Sequence, residues 1–179
     1  MRRFLFALPA LTVLAAAVAT TDAQGVPFSQ HGSVAQRVSH TLIEIGYNRP
    51  VARGRVLFGA LVKWDSVWHP GADSATVIRF DKDVQVAGRR LPRGEYSLWV
   101  IPRQRAPWTL IFNAQARVFH SPYPGPASDV LRVDIPPEAG AHMETMAWYF
   151  PVVGRDSTVL RLHWGETILP VHIRVSREP

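Results

Sequence analysis

The sequence predicts an all-β protein, an antiparallel β-sandwich of about nine strands, and three observations lead to this class. From residue 75 onward, apolar and polar residues alternate in short runs with the period of two that half-buried strands show. Proline makes up 15 of the 179 residues, above the usual share of about 5%. Turn residues, including Gly88 and Gly154, separate the runs. Many short strands joined by turns account for these observations better than long helices do.

The first segment of the chain is predicted to direct export. Arg2 and Arg3 precede an apolar run, Phe4 to Ala19, and small residues follow it as far as Ala23. This is the pattern of a secretory signal peptide at residues 1–23 that is cleaved from the mature protein. The run has 16 residues, fewer than the roughly 20 that a membrane-spanning helix needs.

After cleavage, the chain is predicted to form one domain. We expect a flexible mature N-terminus at residues 24–35 and a single β-sandwich domain at residues 36–179. A domain of this size buries about 68 to 70% of its unfolded surface and needs no disulfide. No second long apolar run follows, so we expect no membrane span in the mature chain. The predicted location is periplasmic or extracellular.

Composition excludes several kinds of site. The chain has no cysteine, which excludes disulfide scaffolds, thiolate zinc sites and cysteine nucleophiles. Its net charge is +6, but the arginines are scattered without a run of four, so nucleic acid is not a predicted partner. The histidines lack the short spacings of zinc enzymes. Neither a metal nor another cofactor is predicted.

The segment from Ser33 to Tyr47 is compatible with a helix or with a strand. Helical spacing relates Val34, Val38, Leu42 and Ile45, whereas Thr41, Ile43, Ile45 and Tyr47 alternate as in a strand. The β-branched and aromatic content favours the strand. Eight further strands are predicted: Ala75 to Asp81, Asp83 to Ala87, Glu95 to Ile101, Trp108 to Asn113, Val130 to Ile135, Glu144 to Phe150, Thr158 to Trp164 and Thr167 to Val175.

The last two predicted strands form a hairpin around Gly165-Glu166, with Trp164 opposite Thr167. Counting from this turn assigns one face to the core: Leu160, Leu162, Trp164, Leu169, Val171 and Ile173. The same count places His163 and His172 on the outward face, about 13 Å apart along the ladder. A metal shared by these two histidines is therefore not expected.

Two segments permit both a structural and a functional interpretation. The strand around Trp99 is apolar on both faces, as in a central strand covered on both sides or in an exposed patch that binds a partner. The proline-rich loop HSPYPGPAS, residues 120 to 128, holds Tyr123. It is either an irregular crossover between sheets or a stiff exposed aromatic for a glycan or peptide.

Several motifs resemble a known bacterial family. They are YNRPVARGRVLFGALVKWDSVWHPGADSATVIRF from Tyr47, LPRGEYSLWVIP from Leu91 and WTLIFN from Trp108. In order and spacing the chain is similar to the family called domain of unknown function 2911, over about residues 36 to 175. The resemblance implies an exported β-rich domain, and the family has no assigned activity. After Trp68 the family usually has arginine and then Gly-Ala-Asn, where this chain has His69 and then a carboxylate, Asp73.

The densest group of chemically useful side chains lies between Tyr47 and Thr76. It offers forked cations for a carboxylate, sulfate or phosphate, flat aromatic platforms and titratable groups: Arg49, Arg53, Arg55, Trp64, Trp68, His69 and Asp73. The structural alternative puts Trp68 in the core, has Arg49 and Arg55 bonding loop carbonyls and makes Asp73 a turn cap.

The leading functional prediction is a noncatalytic binding or structural module of the cell envelope. Its partner would be a small anionic or glycan ligand, or an envelope protein, held by arginine forks and tryptophan stacking. The alternative is a hydrolytic enzyme in which His69 forms a general-base pair with Asp65 or Asp73. No nucleophile motif of the Gly-x-Ser-x-Gly kind accompanies that pair.

Overall fold

The computed structural model describes residues 28–178, and the predicted signal peptide lies outside them. This part of the chain is almost entirely β-structure, with one short 3-10 turn, η1 at Pro126–Ser128, and it contains no helix long and apolar enough to cross a membrane. The ten strands are β1 His31–Val38, β2 Thr41–Asn48, β3 Val77–Phe80, β4 Val84–Val86, β5 Arg89–Leu91, β6 Gly94–Ile101, β7 Trp108–Asn113, β8 Asp129–Ile135, β9 Glu138–Val153 and β10 Ser157–Val175.

The strands form two antiparallel sheets, which confirms the predicted sandwich. The six-stranded sheet has the order β1-β2-β3-β6-β7-β8, and the four-stranded sheet has the order β5-β4-β10-β9. Alternate side chains of both sheets fill the space between them, as the period of two requires. The fully buried members from the six-stranded sheet include Ile43, Ile45, Ile78, Phe80, Leu98, Val100, Leu110 and Phe112, and those from the other sheet include Leu160, Leu169, Val171 and Ile173.

The segment from Ser33 to Tyr47 is extended, as predicted, but it forms two strands. A turn at Ser39, which has a φ of 50°, separates β1 from β2. The two strands pair along their whole length, from His31 opposite Asn48 to Val38 opposite Thr41. The predicted flexible segment at residues 24–35 is therefore corrected at its end, because residues 31–35 belong to a hydrogen-bonded edge strand. Residues 24–27 lie outside the described part.

The sequence prediction also missed β5. Ala87 and Gly88 have φ values of 47° and 77°, as in the type I′ turn that joins the strands of a two-residue hairpin. Val86 accordingly pairs with Arg89. The strand escaped detection because its arginines are exposed and only Leu91 reaches the core.

The predicted hairpin at Gly165-Glu166 is wrong, because β10 is one strand of 19 residues. Gly165 has a φ of 59°, and the register with β9 shifts on both sides of it. Trp164 and Leu169 are five residues apart, so they would face opposite ways in a regular strand. Both are buried, because the irregularity around Gly165 reverses the alternation. The predicted core face is thus correct although the turn is not.

The two histidines of this region differ from each other. His172 is exposed, as predicted, but His163 is buried. The Nε2 atom of His163 lies 2.9 Å from the carbonyl oxygen of Ala141, and Nδ1 lies 3.2 Å from the hydroxyl of Tyr149. The predicted hairpin left His163 open to solvent. The observed β9 begins at Glu138, earlier than predicted, and its residue Ala141 contacts the His163 ring.

The strand β6 is covered on both faces, as predicted for a central strand. Leu98 and Val100 face the core, and Trp99 is equally buried on the opposite face. The covering element on that side is the loop between β7 and β8, whose Tyr123 packs edge-on against Trp99 at 5.2 Å. The Tyr123 hydroxyl donates to Asp129 at 2.5 Å. The loop connects β7 and β8, which are neighbours in one sheet, so the alternative of a crossover between sheets is wrong.

Candidate functional site

The chain between β2 and β3, residues 49–76, contains all the candidate residues and will be called the β2–β3 loop. It is long but firmly attached, because backbone hydrogen bonds tie it to both sheets. Ala52 N–H donates to the Glu144 carbonyl of β9 at 2.8 Å, and Trp68 N–H donates to the Val100 carbonyl of β6 at 2.7 Å. The loop therefore holds its side chains in fixed positions.

The predicted tryptophan platforms pack into an aromatic cluster. Trp68 stacks on Trp164 of β10 with ring centroids 6.2 Å apart and an angle of 11° between the planes. Trp64 lies against Phe58 and Trp108, at 6.2 and 6.3 Å. Both tryptophans are half-buried against the core. Packing therefore accounts for most of the surface of each ring.

Two of the predicted arginines bond to backbone carbonyls. The Nε atom of Arg49 donates to the Met146 carbonyl at 3.0 Å. Arg55 donates from Nε to Ala52 at 2.9 Å and from Nη2 to Val51 at 2.6 Å. The Arg55 contacts agree with the structural alternative, whereas Arg49 bonds to a carbonyl of strand β9 and not to a loop carbonyl. Within the described chain, neither guanidinium forms an ion pair with a carboxylate.

Arg53 is positioned differently. Its φ is 54°, and its backbone N–H donates to the Glu144 carboxylate at 2.6 Å. Hydrogen bonds from His142 and then from this N–H hold the pKa of Glu144 below its usual value. The guanidinium lies 3.2 Å from the centroid of the Phe28 ring, a cation–π contact. Glu144 thus fixes the backbone of Arg53 and also attracts its charge, but within residues 28–178 the guanidinium forms no direct ion pair with a carboxylate.

Arg53, Arg55 and Trp68 meet at a cavity of about 420 Å³, which will be called the arginine cavity. Among its described lining residues, the charged ones are the two arginines. Trp164 also lines it, and the indole Nε1 of Trp164 is buried without a hydrogen-bond partner in residues 28–178. The full lining is Phe28, Ser29, Pro50, Val51, Arg53, Arg55, Leu61, Val62, Trp68, Gly71 and Trp164.

His69 lies elsewhere, next to the outer face of β6. Its ring is buried, 5.7 Å from Trp99 and 6.2 Å from His120. Its Nε2 accepts a hydrogen bond from the Thr76 backbone N–H at 2.5 Å, so the ring is neutral with its proton on Nδ1. Burial, with a smaller effect of His120, lowers the pKa of His69 to about 3.

The structure does not pair His69 with either candidate carboxylate. Asp65 is exposed and is held by its backbone N–H, which donates to the Pro102 carbonyl at 2.8 Å. The Asp73 carboxylate lies 3.5 Å from the Asn48 side-chain nitrogen, and its backbone carbonyl contacts the His120 ring at 2.7 Å. Among the described residues, no hydrogen bond joins His69 to an aspartate, and no group of three potential ligands could hold a metal ion.

A second cavity, which the sequence analysis did not identify, lies on the outer face of the six-stranded sheet. This sheet cleft has a volume of about 610 Å³. Its floor contains Gly46 and Val77, which face each other across β2 and β3. The wall on one side is the segment 117–119, fixed by a hydrogen bond of 2.9 Å from Ala75 N–H to the Val118 carbonyl.

Charged side chains cross the sheet cleft in a row. Glu44, Arg79 and Glu95 are direct neighbours on β2, β3 and β6. Arg79 pairs with Glu44 at 2.8 Å, and Arg117 pairs with Glu95 at 3.2 Å. The available sequence signal was the alternation of β2, whose outward positions include Glu44, Gly46 and Asn48. It became meaningful only once the pairing of the strands was known.

Comparison with known proteins places the chain in a family without establishing an activity. No curated protein and no solved structure matches the sequence. The family model described as "Protein of unknown function (DUF2911)" matches residues 29–173. That range spans β1 through most of β10 and contains every lining residue of the sheet cleft and, except for Phe28, of the arginine cavity. The chain therefore belongs to the DUF2911 family.

Proposed function

We propose that the protein is a noncatalytic binding module that holds a small anionic ligand in the arginine cavity. The observation that carries this proposal is the charge of the lining, in which two arginines face a cavity of about 420 Å³ without an acidic side chain. Cavities of roughly 300 to 1,000 Å³ accommodate small ligands. An anion entering this one meets two cations that form no direct ion pair with a carboxylate of the described chain.

The guanidinium groups retain donors for such an anion. Arg55 uses Nε and one Nη atom on the loop carbonyls, so the donors of its other Nη atom are available. The head of Arg53 rests on Phe28, a contact that leaves its in-plane N–H groups free to donate. A planar carboxylate or a phosphate suits these forked donors.

The rest of the lining favours a ligand with an apolar or ring-shaped part beside its charge. Trp68, Val62 and the Trp164 ring contribute apolar surface. A sugar acid combines a carboxylate with a flat face of C–H groups and with hydroxyl acceptors. The buried environment of His69 gives the hydrolytic alternative less support, because its Nε2 already accepts a bond from Thr76.

The cell-envelope location belongs to this proposal as well. It rests on the N-terminal pattern of Arg2 and Arg3 followed by an apolar run. An exported binding module needs no cofactor to act on envelope sugars or anions. Detection of the protein in a periplasmic or culture-medium fraction, shortened by the predicted segment, would support that part of the proposal.

The first test is calorimetric titration of the mature protein with glucuronate, using glucose as the uncharged counterpart. We expect glucuronate to bind and glucose to bind much more weakly. The double variant Arg53→Ala/Arg55→Ala should weaken glucuronate binding about 10- to 100-fold, since charge-assisted hydrogen bonds contribute about 1.5 to 3 kcal/mol.

Arg89→Ala is the matched control, because Arg89 is exposed on β5, at the opposite edge of the four-stranded sheet from β9. It removes one of the two charges that the double variant removes, without touching the cavity. Arg53→Gln serves as a milder second variant, since Arg55 also anchors the loop. Equal affinities for the double variant and the control, or no glucuronate binding by the unaltered protein, would contradict the proposal.

A further inference from the structure

We infer that the sheet cleft is a second binding site, independent of the arginine cavity, for a neutral polyhydroxylated ligand such as an uncharged oligosaccharide. The cleft is the larger of the two cavities, at about 610 Å³. It lies on the solvent side of the six-stranded sheet, where Glu44 and Arg79 extend from adjacent strands. A site of this kind is fixed by the sheet itself and needs no loop movement.

The sheet forms a hollow here because small residues meet on its outer face. Gly46 of β2 has no side chain, and its neighbour on β3 is Val77. A Cβ atom at Gly46 would fit without a clash, in van der Waals contact with the His31 ring at 3.5 Å. The loop segment 117–119 rises on the other side, and Ser74 pairs with Phe119 to hold it. The hollow is thus a built feature, with a floor and two walls.

The charges in the cleft match hydroxyl groups. Each hydroxyl both donates and accepts a hydrogen bond, and the row of alternating carboxylates and guanidiniums offers acceptors and donors side by side. The two ion pairs, Glu44 with Arg79 and Glu95 with Arg117, leave the cleft with no net charge from these four groups. All four side chains remain partly exposed, so their unused lone pairs and N–H groups face solvent.

The same pairing disfavours a charged ligand. A small ion meets four charges that already pair with each other, so the row offers little net attraction for one more charge. A neutral hydroxyl can add to the pair without displacing either member. Polar side chains beside the row extend the same chemistry, because His31 Nδ1 and Asn48 Oδ1 lie 3.1 Å apart in the wall.

An aromatic ring completes the match. The side chain of Phe119 is 59% exposed and lines the cleft. An exposed ring beside hydrogen-bonding groups provides a surface for the C–H face of a sugar, whose hydroxyls then reach the charged row. The Phe119 ring also packs against the ring of His120, with centroids 4.3 Å apart. This support fixes the platform in place.

The test is calorimetric titration with three neutral trisaccharides, maltotriose, cellotriose and tri-N-acetylchitotriose, with diglycine as the zwitterionic probe. Gly46→Val should fill the floor without disturbing the charges and should raise the dissociation constant at least about tenfold. Phe119→Ala should raise it about two- to tenfold, the range expected for one aromatic contact. The melting temperature of both variants should stay close to that of the unaltered protein.

Two controls separate this inference from its alternatives. Ala139→Val adds two carbon atoms, one fewer than Gly46→Val, to an exposed position of β9 on the other sheet and should leave trisaccharide binding unchanged. Arg53→Ala/Arg55→Ala should also leave it unchanged, so the two proposed sites can fail independently. The inference is overturned if none of the trisaccharides binds, if Gly46→Val binds them as well as the unaltered protein, or if diglycine is the preferred ligand in the cleft.

Discussion

Residues 68–75, which will be called the shared segment, contribute to both the arginine cavity and the sheet cleft, but the two sites differ in charge. Trp68 and Gly71 line the first, and Ser74 and Ala75 line the second. In the arginine cavity the cations bond to carbonyls or lie on a ring, whereas in the sheet cleft each cation has a carboxylate partner. The placement of carboxylates, more than the number of arginines, therefore decides which class of ligand each site can hold.

The largest expected effect concerns His69, whose ring stabilises the shared segment through its bond to Thr76. The pKa of His69 is about 3 in the folded protein and 6.5 in its ordinary state. As the pH falls through 6.5, the unfolded chain gains a proton that the folded protein does not bind until near pH 3. The free energy of unfolding should therefore fall over that window, by up to roughly 5 kcal/mol.

Urea denaturation between pH 7 and pH 3 measures this loss. His69→Gln keeps an acceptor for the Thr76 N–H but removes the titration, so its stability should depend less on pH than that of the unaltered protein. The matched control is His172→Gln, because His172 is exposed on β10. If His69→Gln and His172→Gln show the same slope against pH, the buried neutral ring does not set the pH dependence.

A smaller effect is expected from Gly71→Ala, which tests whether the shared segment supports both sites. A Cβ atom at Gly71 would lie 2.6 Å from His69 Cε1 and 2.6 Å from Thr76 Oγ1. Because both neighbours are buried, the free energy of unfolding should fall by about 1 to 3 kcal/mol. Chemical denaturation provides the measurement, and titration with glucuronate and the trisaccharides should show both sites weakened.

Ala72→Gly is a suitable companion to Gly71→Ala, since it changes the adjacent residue by one methyl group in the opposite direction. It should leave the His69 ring in place. If Gly71→Ala loses binding at one cavity and keeps it fully at the other, the shared segment does not support both sites.

The smallest effect is expected from Glu44→Gln, which removes one charge from the sheet cleft. The ion pair with Arg79 is about half exposed, and such pairs contribute roughly 0 to 1 kcal/mol. The melting temperature should therefore barely change. Affinity for small anions should appear at the cleft, because Arg79 loses its partner on β2, and titration with phosphate in the Arg53→Ala/Arg55→Ala background measures it. A cleft that still rejects phosphate would weaken the charge argument.

Much of the fold could be predicted because alternation is a local property. The core face of β10 was correct from counting alone, and β7 was predicted with its observed bounds. The strand predictions were wrong where the apolar–polar alternation reverses, as in β10, or where the strand is too short to show it, as in β5. Gly165 was assigned to a hairpin turn, but a glycine with positive φ occurs in turns and in β-bulges alike, and here it forms an irregularity within β10. The buried state of His163 followed from the unexpected length of β9.

The candidate site was predicted as one group of residues, but the structure divides it. Arg53, Arg55 and Trp68 meet at one cavity, Trp64 packs against Phe58 and Trp108, and His69 and Asp73 lie near His120. Nearness in sequence could not reveal this division, because a loop turns its side chains to different sides over a few residues. The sheet cleft escaped prediction for the opposite reason, since its residues come from distant parts of the chain.

The sequence by itself determined the fold class, the family and the residues that face the core, because each depends on local pattern or on motifs in order. Only the tertiary structure decided which charges remain unpaired. Glu44, Arg79 and Glu95 became neighbours through the order of the strands in the sheet. Glu144 came to bind the backbone N–H of Arg53 and, within residues 28–178, forms no direct ion pair with its guanidinium. Electrostatic pairing acts across space, so the chemistry of both cavities depends on contacts between residues far apart in sequence.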